Sequence, residues 1–322
     1  FSLIGLIKQL SQKPILFQNL SIAIDAKHGA CGPLWDIFFA LFPSKALKTF
    51  HFQPLPDFGG LEPNPTKYEH LSDLSQHIIN HHFDIGIAND PDGDRHVILD
   101  ETGRHLIPEE TTLIILDYLI RKDVEVAGIA TTVASSRIIK QACQDHGIEF
   151  HETAVGFKHF ASFFEACENK DTIGLAVESS GGFSMSNHIF EKCGFLPGLL
   201  LVQIIADTGL SLSQLKQAVY ACYGQSVFLE KEYRFNATQK DQLTSIFSTI
   251  KRADLGQYFD VSIESIHTID GVKVVFSNQD WVLLRLSGTE PVVRLYAESD
   301  THANTSTLLS RTQLLLNNWL SE

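Results

Sequence analysis

The sequence is short of basic charge: 25 Lys and Arg stand against 38 Asp and Glu, a formal net charge of −13. A groove for a nucleic-acid backbone needs clustered basic side chains, so no nucleic-acid partner is expected. The same imbalance repels a small anion at long range. Any phosphate site must therefore be local, built from a few arginines, backbone N–H groups or a bound cation. Cysteine is also scarce and unpatterned. Cys31, Cys143, Cys167, Cys193 and Cys222 are odd in number and form no CxxC pair. They read as reduced thiols in a cytoplasmic protein rather than a disulfide frame or a zinc site. No apolar run reaches membrane-spanning length, and the first residues lack the charged start and cleavage pattern of a signal peptide. No membrane partner is expected. The chain opens on Phe1 rather than methionine, which hints at residues upstream.

What is present is ordinary globular material: 322 residues, 44% hydrophobic and 20% charged. Two or three domains are expected from that length. Ser2 to Leu10 has helical apolar spacing and predicts an amphipathic lead-in helix. Leu20 to Ile24 alternates as a strand, followed by the turn Asp25-Ala-Lys-His-Gly-Ala-Cys-Gly32 and an apolar helix over Trp35 to Leu41. A Pro- and Gly-rich loop over Pro54 to Pro65 leads to a helix from Tyr68 to Asn80 and a strand from Phe83 to Ala88. A second set of alternating elements runs from Ile107 to a long apolar helix, Phe195 to Ala206. From Val227 on, strand patterns outnumber helices until a last helical stretch, Thr301 to Leu320. The fold class predicted is α/β: two consecutive α/β domains with mixed sheets between helices, then a C-terminal α+β domain.

Four segments carry chemistry. Asp90-Pro-Asp-Gly-Asp-Arg95 follows an apolar strand directly. Its three carboxylates alternate on a tight loop, and their mutual repulsion is relieved by a divalent cation. Oxygen-only ligands favour Mg²⁺ over Zn²⁺. The plainer alternative is a solvated acidic turn. Arg285-Leu-Ser-Gly-Thr-Glu-Pro291 lies between two strand patterns, with Arg294 just after. Arg285 offers a planar fork for phosphate oxygens, Ser287 and Thr289 offer hydroxyls, and Gly288 lets the backbone approach an anion. An ordinary hairpin connection is the alternative. Glu178-Ser-Ser-Gly-Gly182 sets a carboxylate and the Ser180 hydroxyl two residues apart, able to grip adjacent sugar hydroxyls; a polar turn is equally compatible. Gly156-Phe-Lys158 places a lysine at a helix start, where a surface lysine is the simpler reading. His77, His81 and His82 lie at one helix end with no third ligand nearby and read as solvated.

With these segments in this order, the chain resembles the phosphoglucomutase/phosphomannomutase (α-D-phosphohexomutase) family over essentially all its length. The similarity begins at Asp25-Ala-Lys-His-Gly-Ala and includes His188-Ile-Phe-Glu-Lys-Cys-Gly194. It implies a second family domain over 1–104, a third over 105–222 and a C-terminal phosphate-binding domain over 223–322. It further implies Mg²⁺ on Asp90, Asp92 and Asp94, catalytic roles for Arg95 and Lys158, a sugar grip by Glu178 and Ser180, and a phosphate site at Arg285, Ser287, Gly288 and Thr289. The implied partners are a hexose phosphate and a hexose bisphosphate. The implied reaction interconverts hexose 1-phosphate and hexose 6-phosphate, glucose or mannose, through a bisphosphate. Its phosphoserine sits in an N-terminal domain whose Ser-His-Asn-Pro type of loop is not found in this sequence, and which is expected upstream or in trans. Ser179, Gly182 and Cys193 depart from the family pattern, and His188 is a candidate replacement acid or base. Two other readings stay open: a phosphosugar-binding fragment or paralogue without activity, and a phosphatase of the haloacid-dehalogenase type using Asp90 as nucleophile.

Overall fold

The computed structural model describes residues 17–66, 68–168, 172–288 and 290–321. The helix expected over Ser2 to Leu10 and the site residue Thr289 lie outside the described residues.

The first unit contains β1 (Ser21–Asp25), α1 (Cys31–Leu41), β2 (Ala46–Phe50), α2 (Ser72–His81), β3 (Ile85–Asn89), β4 (His96–Leu99) and β5 (His105–Leu106). The sheet order is β2-β1-β3-β4-β5. β1 runs parallel to β2 and β3, whereas β3 and β4 are antiparallel. β1 and β3 are buried at every position, as expected of central strands covered on both faces. One cover is α1, whose Trp35 and Phe38 pack against Phe195 of the next unit. The other is α2, whose Leu74 and Ile78 join Ala23, Ala88 and Leu99. The helix expected from Tyr68 begins as a 3-10 turn, Tyr68–Leu71, and becomes α-helical only at Ser72. Ser72 and Asp73 favour a first turn over a helix interior, which accounts for the delay.

The second unit contains α3 (Pro108–Arg121), β6 (Val126–Thr132), α4 (Arg137–His146), β7 (Glu149–Thr153), α5 (Ala161–Glu168), β8 (Ile173–Val177), β9 (Phe183–Met185), α6 (Phe195–Thr208) and α7 (Leu212–Tyr223). Its sheet, β7-β6-β8-β9, has three parallel strands and an antiparallel edge, the plan of the first sheet without the further antiparallel strand β5. Ser211 caps α7 by accepting from Gln214 N while Gln214 Oε1 accepts from Ser211 N, a reciprocal box that is legible in sequence. No single helix among the described residues is long and apolar enough to cross a membrane. α6 is instead a core helix. It shares one cluster with β1, α1 and α3, so the first two units are built on a common interior.

The third unit contains β10 (Val227–Arg234), α8 (Ala237–Thr249), α9 (Arg252–Leu255), β11 (Ile263–His267), β12 (Val272–Phe276), β13 (Trp281–Leu286), β14 (Val292–Ser299) and α10 (His302–Ser321). Its antiparallel sheet runs β10-β14-β13-β12-β11 over a separate core that includes Leu315, Leu316 and Trp319 of α10. The α/β, α/β and α+β succession is the fold class expected.

A small apolar cluster of Val133, Ala134, Trp281, Leu283 and Tyr296 joins the second and third units. Beside it, the fully buried Glu298 accepts from Ser136 Oγ, Ser226 Oγ, Trp281 Nε1 and Arg137 N. Ser136 N in turn donates to Glu109 Oε1 at 3.0 Å. Burial pushes the Glu109 carboxyl up to about 7, with the nearby Glu298 and Glu110 charges adding to it. The folded value lies above the unfolded one, so this group's contribution is complete at acid pH and is lost as pH rises through about 7. Between pH 5 and 8 it is expected to remove on the order of 2–3 kcal/mol of stability. Urea unfolding of wild type and Glu109→Gln at both pH values checks this. The variant, which keeps an oxygen for Ser136 N, is expected to lose that part of the slope; equal slopes refute it.

Candidate functional site

The strand β3 ends at Asn89, whose side chain fixes the loop that follows. Its Oδ1 accepts from Trp35 Nε1 at 2.9 Å, and its Nδ2 donates to Gly194 O at 2.8 Å and Arg95 O at 3.1 Å. Gly93 turns the loop with φ +76°, a conformation that glycine adopts without strain. Ligand-type oxygens of Asp90, Asp92 and Asp94 lie within 4.8 Å of one another. Arg95 Nε is 3.4 Å from Asp90 Oδ2 and 3.4 Å from Asp94 Oδ1. Asp90 Oδ1 accepts from Arg95 N at 2.9 Å.

Burial pushes the Asp90 carboxyl up to about 7, with Asp94 and Asp92 adding to the effect. For Asp94, burial acts upward too. It is outweighed by hydrogen bonds with Asp90 and Lys192 and by the Lys192 and Arg95 charges, which hold it below the usual range. The triad crowds three acids against two cations, and the buried Asp94 Oδ1 accepts no hydrogen bond among the described residues. An oxygen-rich cluster with an unused acceptor fits a hard divalent cation.

Lys192 is not evident from residue chemistry, although it lies within the stretch His188 to Gly194. Its Nζ is 2.5 Å from Asp94 Oδ2. What carries it there is the antiparallel bridge between Arg95 and Gly182, together with the bond from Gly194 N to Gly93 O at 2.9 Å. A Cβ on Gly194 would fall 2.1 Å from Arg95 O, so only glycine permits the two loops to meet. Glu178 is thereby brought under the influence of Lys192, Arg95 and Asp94; burial raises its carboxyl above the usual range. Its Oε1 accepts from Gly156 N at 3.0 Å.

The remaining residues are placed less tightly. Ser180 is half-buried in the same turn. Lys158 is exposed in the 3-10 turn Phe157–Phe160, with no hydrogen bond or ion pair to the other site residues among those described. His188 Nε2 is buried without a hydrogen-bond partner among the described residues. At the third unit, Ser287 is buried and its Oγ accepts from Glu290 N at 3.3 Å, while a Cβ on Gly288 would meet nothing. Arg285 Nε pairs with Asp270 Oδ2 at 2.7 Å. Arg294, next in line by sequence, is enclosed by Glu230, Glu232 and Glu290 at 3.5, 3.5 and 3.6 Å. It thus faces three carboxylates, whereas Arg285 has Asp270 as its one carboxylate partner among the described residues.

The turn after β1 supports the metal loop from behind. Asp25 Oδ1 accepts from Lys27 N and His51 Nδ1, each at 2.9 Å, and Ala30 N donates to Pro91 O at 2.7 Å.

Family models for phosphoglucomutase/phosphomannomutase match along the chain: alpha/beta/alpha domain II at residues 4–103, alpha/beta/alpha domain III at 108–223 and the C-terminal domain at 234–312. The chain belongs to this family. Among curated relatives, phosphoglucomutase 1 of Drosophila melanogaster is 28% identical over 87% of this chain and 54% of its own length. Phosphoglucomutase-1 of Homo sapiens is 27% identical over 91% of the chain and 56% of its own length. The chain thus spans about half the length of the curated relatives it matches. The crystal structure of a phosphoglucomutase/phosphomannomutase family protein from Burkholderia thailandensis shares the fold, with TM-score 0.76 and 23% identity, covering 98% of this chain and 64% of that one.

Proposed function

We propose that this chain carries the metal, sugar and spectator-phosphate loops of a phosphohexomutase that interconverts hexose 1-phosphate and hexose 6-phosphate through a bisphosphate. The observation that carries the reading is the meeting of loops from two units: Arg95 bridged to Gly182, with Glu178 and Lys192 facing the Asp triad. The family names of the relatives support it.

Asp90, Asp92 and Asp94 would hold Mg²⁺, which when bound neutralises charge on a phosphoryl group in transfer. Arg95 and Lys192 set the charge of that triad. Glu178, with Ser180, accepts from sugar hydroxyls, and its raised affinity for protons suits a group that must also share one. Arg285, with the Ser287 hydroxyl and the open backbone at Gly288, holds the phosphate that does not react. Lys158, exposed and unpaired with the other site residues, offers its charge to the substrate from the second unit. Thr289 and the boundaries of the three domains, 1–104, 105–222 and 223–322, keep the roles the resemblance implies. The phosphoserine would come from a domain outside these residues, upstream or in trans. Family membership leaves the haloacid-dehalogenase reading without support.

Isothermal titration with Mg²⁺ and then glucose 1-phosphate tests the site. Asp92→Asn is expected to weaken Mg²⁺ binding by at least about tenfold. Mutase turnover is expected only when a phosphoserine domain is supplied. Wild-type Mg²⁺ affinity in the variant would remove the metal assignment, and turnover by this chain alone would remove the need for a second domain.

A further inference from the structure

Arg285 and the loop bearing Lys158 belong to different units, yet one carboxylate oxygen holds both. Asp270 Oδ2 pairs with Arg285 Nε at 2.7 Å and accepts from Val155 N at 3.0 Å. Asp270 sits in the turn between β11 and β12, and Val155 in the turn after β7. The next amide along, Gly156 N, donates to Glu178 Oε1 at 3.0 Å. Consecutive peptide N–H groups are therefore taken by two carboxylates, one behind the phosphate-loop arginine and one in the sugar loop.

Among the described residues, the other ion pairs between these units do not touch the loops in question. Lys273 Nζ meets Glu152 Oε1 at 2.8 Å, and Arg137 meets Asp280 at 2.9 Å. Asp270 also engages Arg285 from the side, through Nε, and leaves both terminal amino groups without a partner among the described residues. A guanidinium held this way keeps its orientation while its fork stays available to phosphate oxygens. A partner that orients a ligand-binding side chain acts on affinity through that side chain.

We propose that Asp270 is a positioning residue that latches the phosphate loop to the Val155–Lys158 loop, so that a phosphate monoester on Arg285 orders the amides beside Glu178. The proposal rests on the reading of Arg285 as a phosphate ligand, and it adds a link from that site to the sugar loop. A purely structural ion pair would change stability without tying amide protection in the second unit to an anion on the third.

Glucose 1-phosphate binding to this chain, in Mg²⁺, is measured by titration calorimetry, and backbone hydrogen exchange is followed over residues 153–160. In wild type the ligand is expected to slow exchange at Val155 and Gly156. Asp270→Asn is expected to weaken binding by about tenfold and to abolish that protection, with Asp270→Glu recovering part of both. Asp270→Asn with wild-type affinity and wild-type protection overturns the latch. Arg285→Ala with wild-type affinity overturns the phosphate-loop reading instead. If Asp270→Asn does not fold, wild type decides: ligand binding that leaves exchange at Val155 and Gly156 unchanged overturns the latch.

Discussion

Glu298→Ala is expected to lower unfolding stability by about 3–5 kcal/mol, since each buried neutral donor left without an acceptor costs about 1–3 kcal/mol. Glu298 is fully buried and gathers four donors: the Ser136 and Ser226 hydroxyls, the Trp281 indole and the Arg137 amide. Alanine leaves all four without that acceptor, so their desolvation becomes uncompensated. The loss falls on the junction of the second and third units, because Ser136 and Arg137 open α4 while Trp281 and Glu298 lie on the antiparallel sheet. Urea unfolding monitored by Trp fluorescence should show the third unit releasing at lower urea, with the α/β core following later. Glu298→Gln keeps one acceptor oxygen but turns an amide NH2 donor toward the other donors, so it should fall between wild type and the alanine variant. A loss below about 1 kcal/mol in the alanine variant would show the network to be solvated rather than buried.

Arg285→Ala is expected to weaken hexose-phosphate binding by about 100-fold, roughly 2–3 kcal/mol for charge-assisted bonds to a phosphate. Compensation from Arg294 is not expected, since three glutamates surround it. Arg285→Lys should recover only part of the affinity, because an ammonium restores the charge but not the planar fork. Calorimetry with glucose 1-phosphate at fixed Mg²⁺ separates the cases, and a melting curve for each variant shows whether the fold is intact. Unchanged affinity in the alanine variant would remove Arg285 from the site.

The residues legible in sequence share a property: their chemistry is concentrated within a few positions. Asp90, Asp92 and Asp94 are read as a cation site because they alternate on one loop, and the structure does bring their oxygens together; Arg285 and Ser287 are read as an anion site from their closeness on another. The β1 and β3 strands are equally plain, since central parallel strands are apolar throughout. The edge strand β2, with half-buried Ala46 and exposed Leu47 and Lys48, carries no such run and is not anticipated. α7 has a local signal in its Ser211–Gln214 box, but it is far less apolar overall than α6 just before it, and it too goes unpredicted.

The residues hidden in the sequence work across the chain. Lys192 reaches Asp94 only because Gly182 and Gly194 press the sugar-loop region against the metal loop. Asp270 serves Val155 across 115 positions, and Glu298 serves Ser136 across 162. The sequence by itself determined the α/β order of elements, the acidic loop and the arginine loop, because hydrophobic period and side-chain chemistry are local properties. Only the tertiary structure decided which acids stand beside which cations: three glutamates around Arg294, and Asp270 alone at Arg285 among the described residues. Those outcomes depend on burial and on distances between segments far apart in the chain, and neither is written in the spacing of residues.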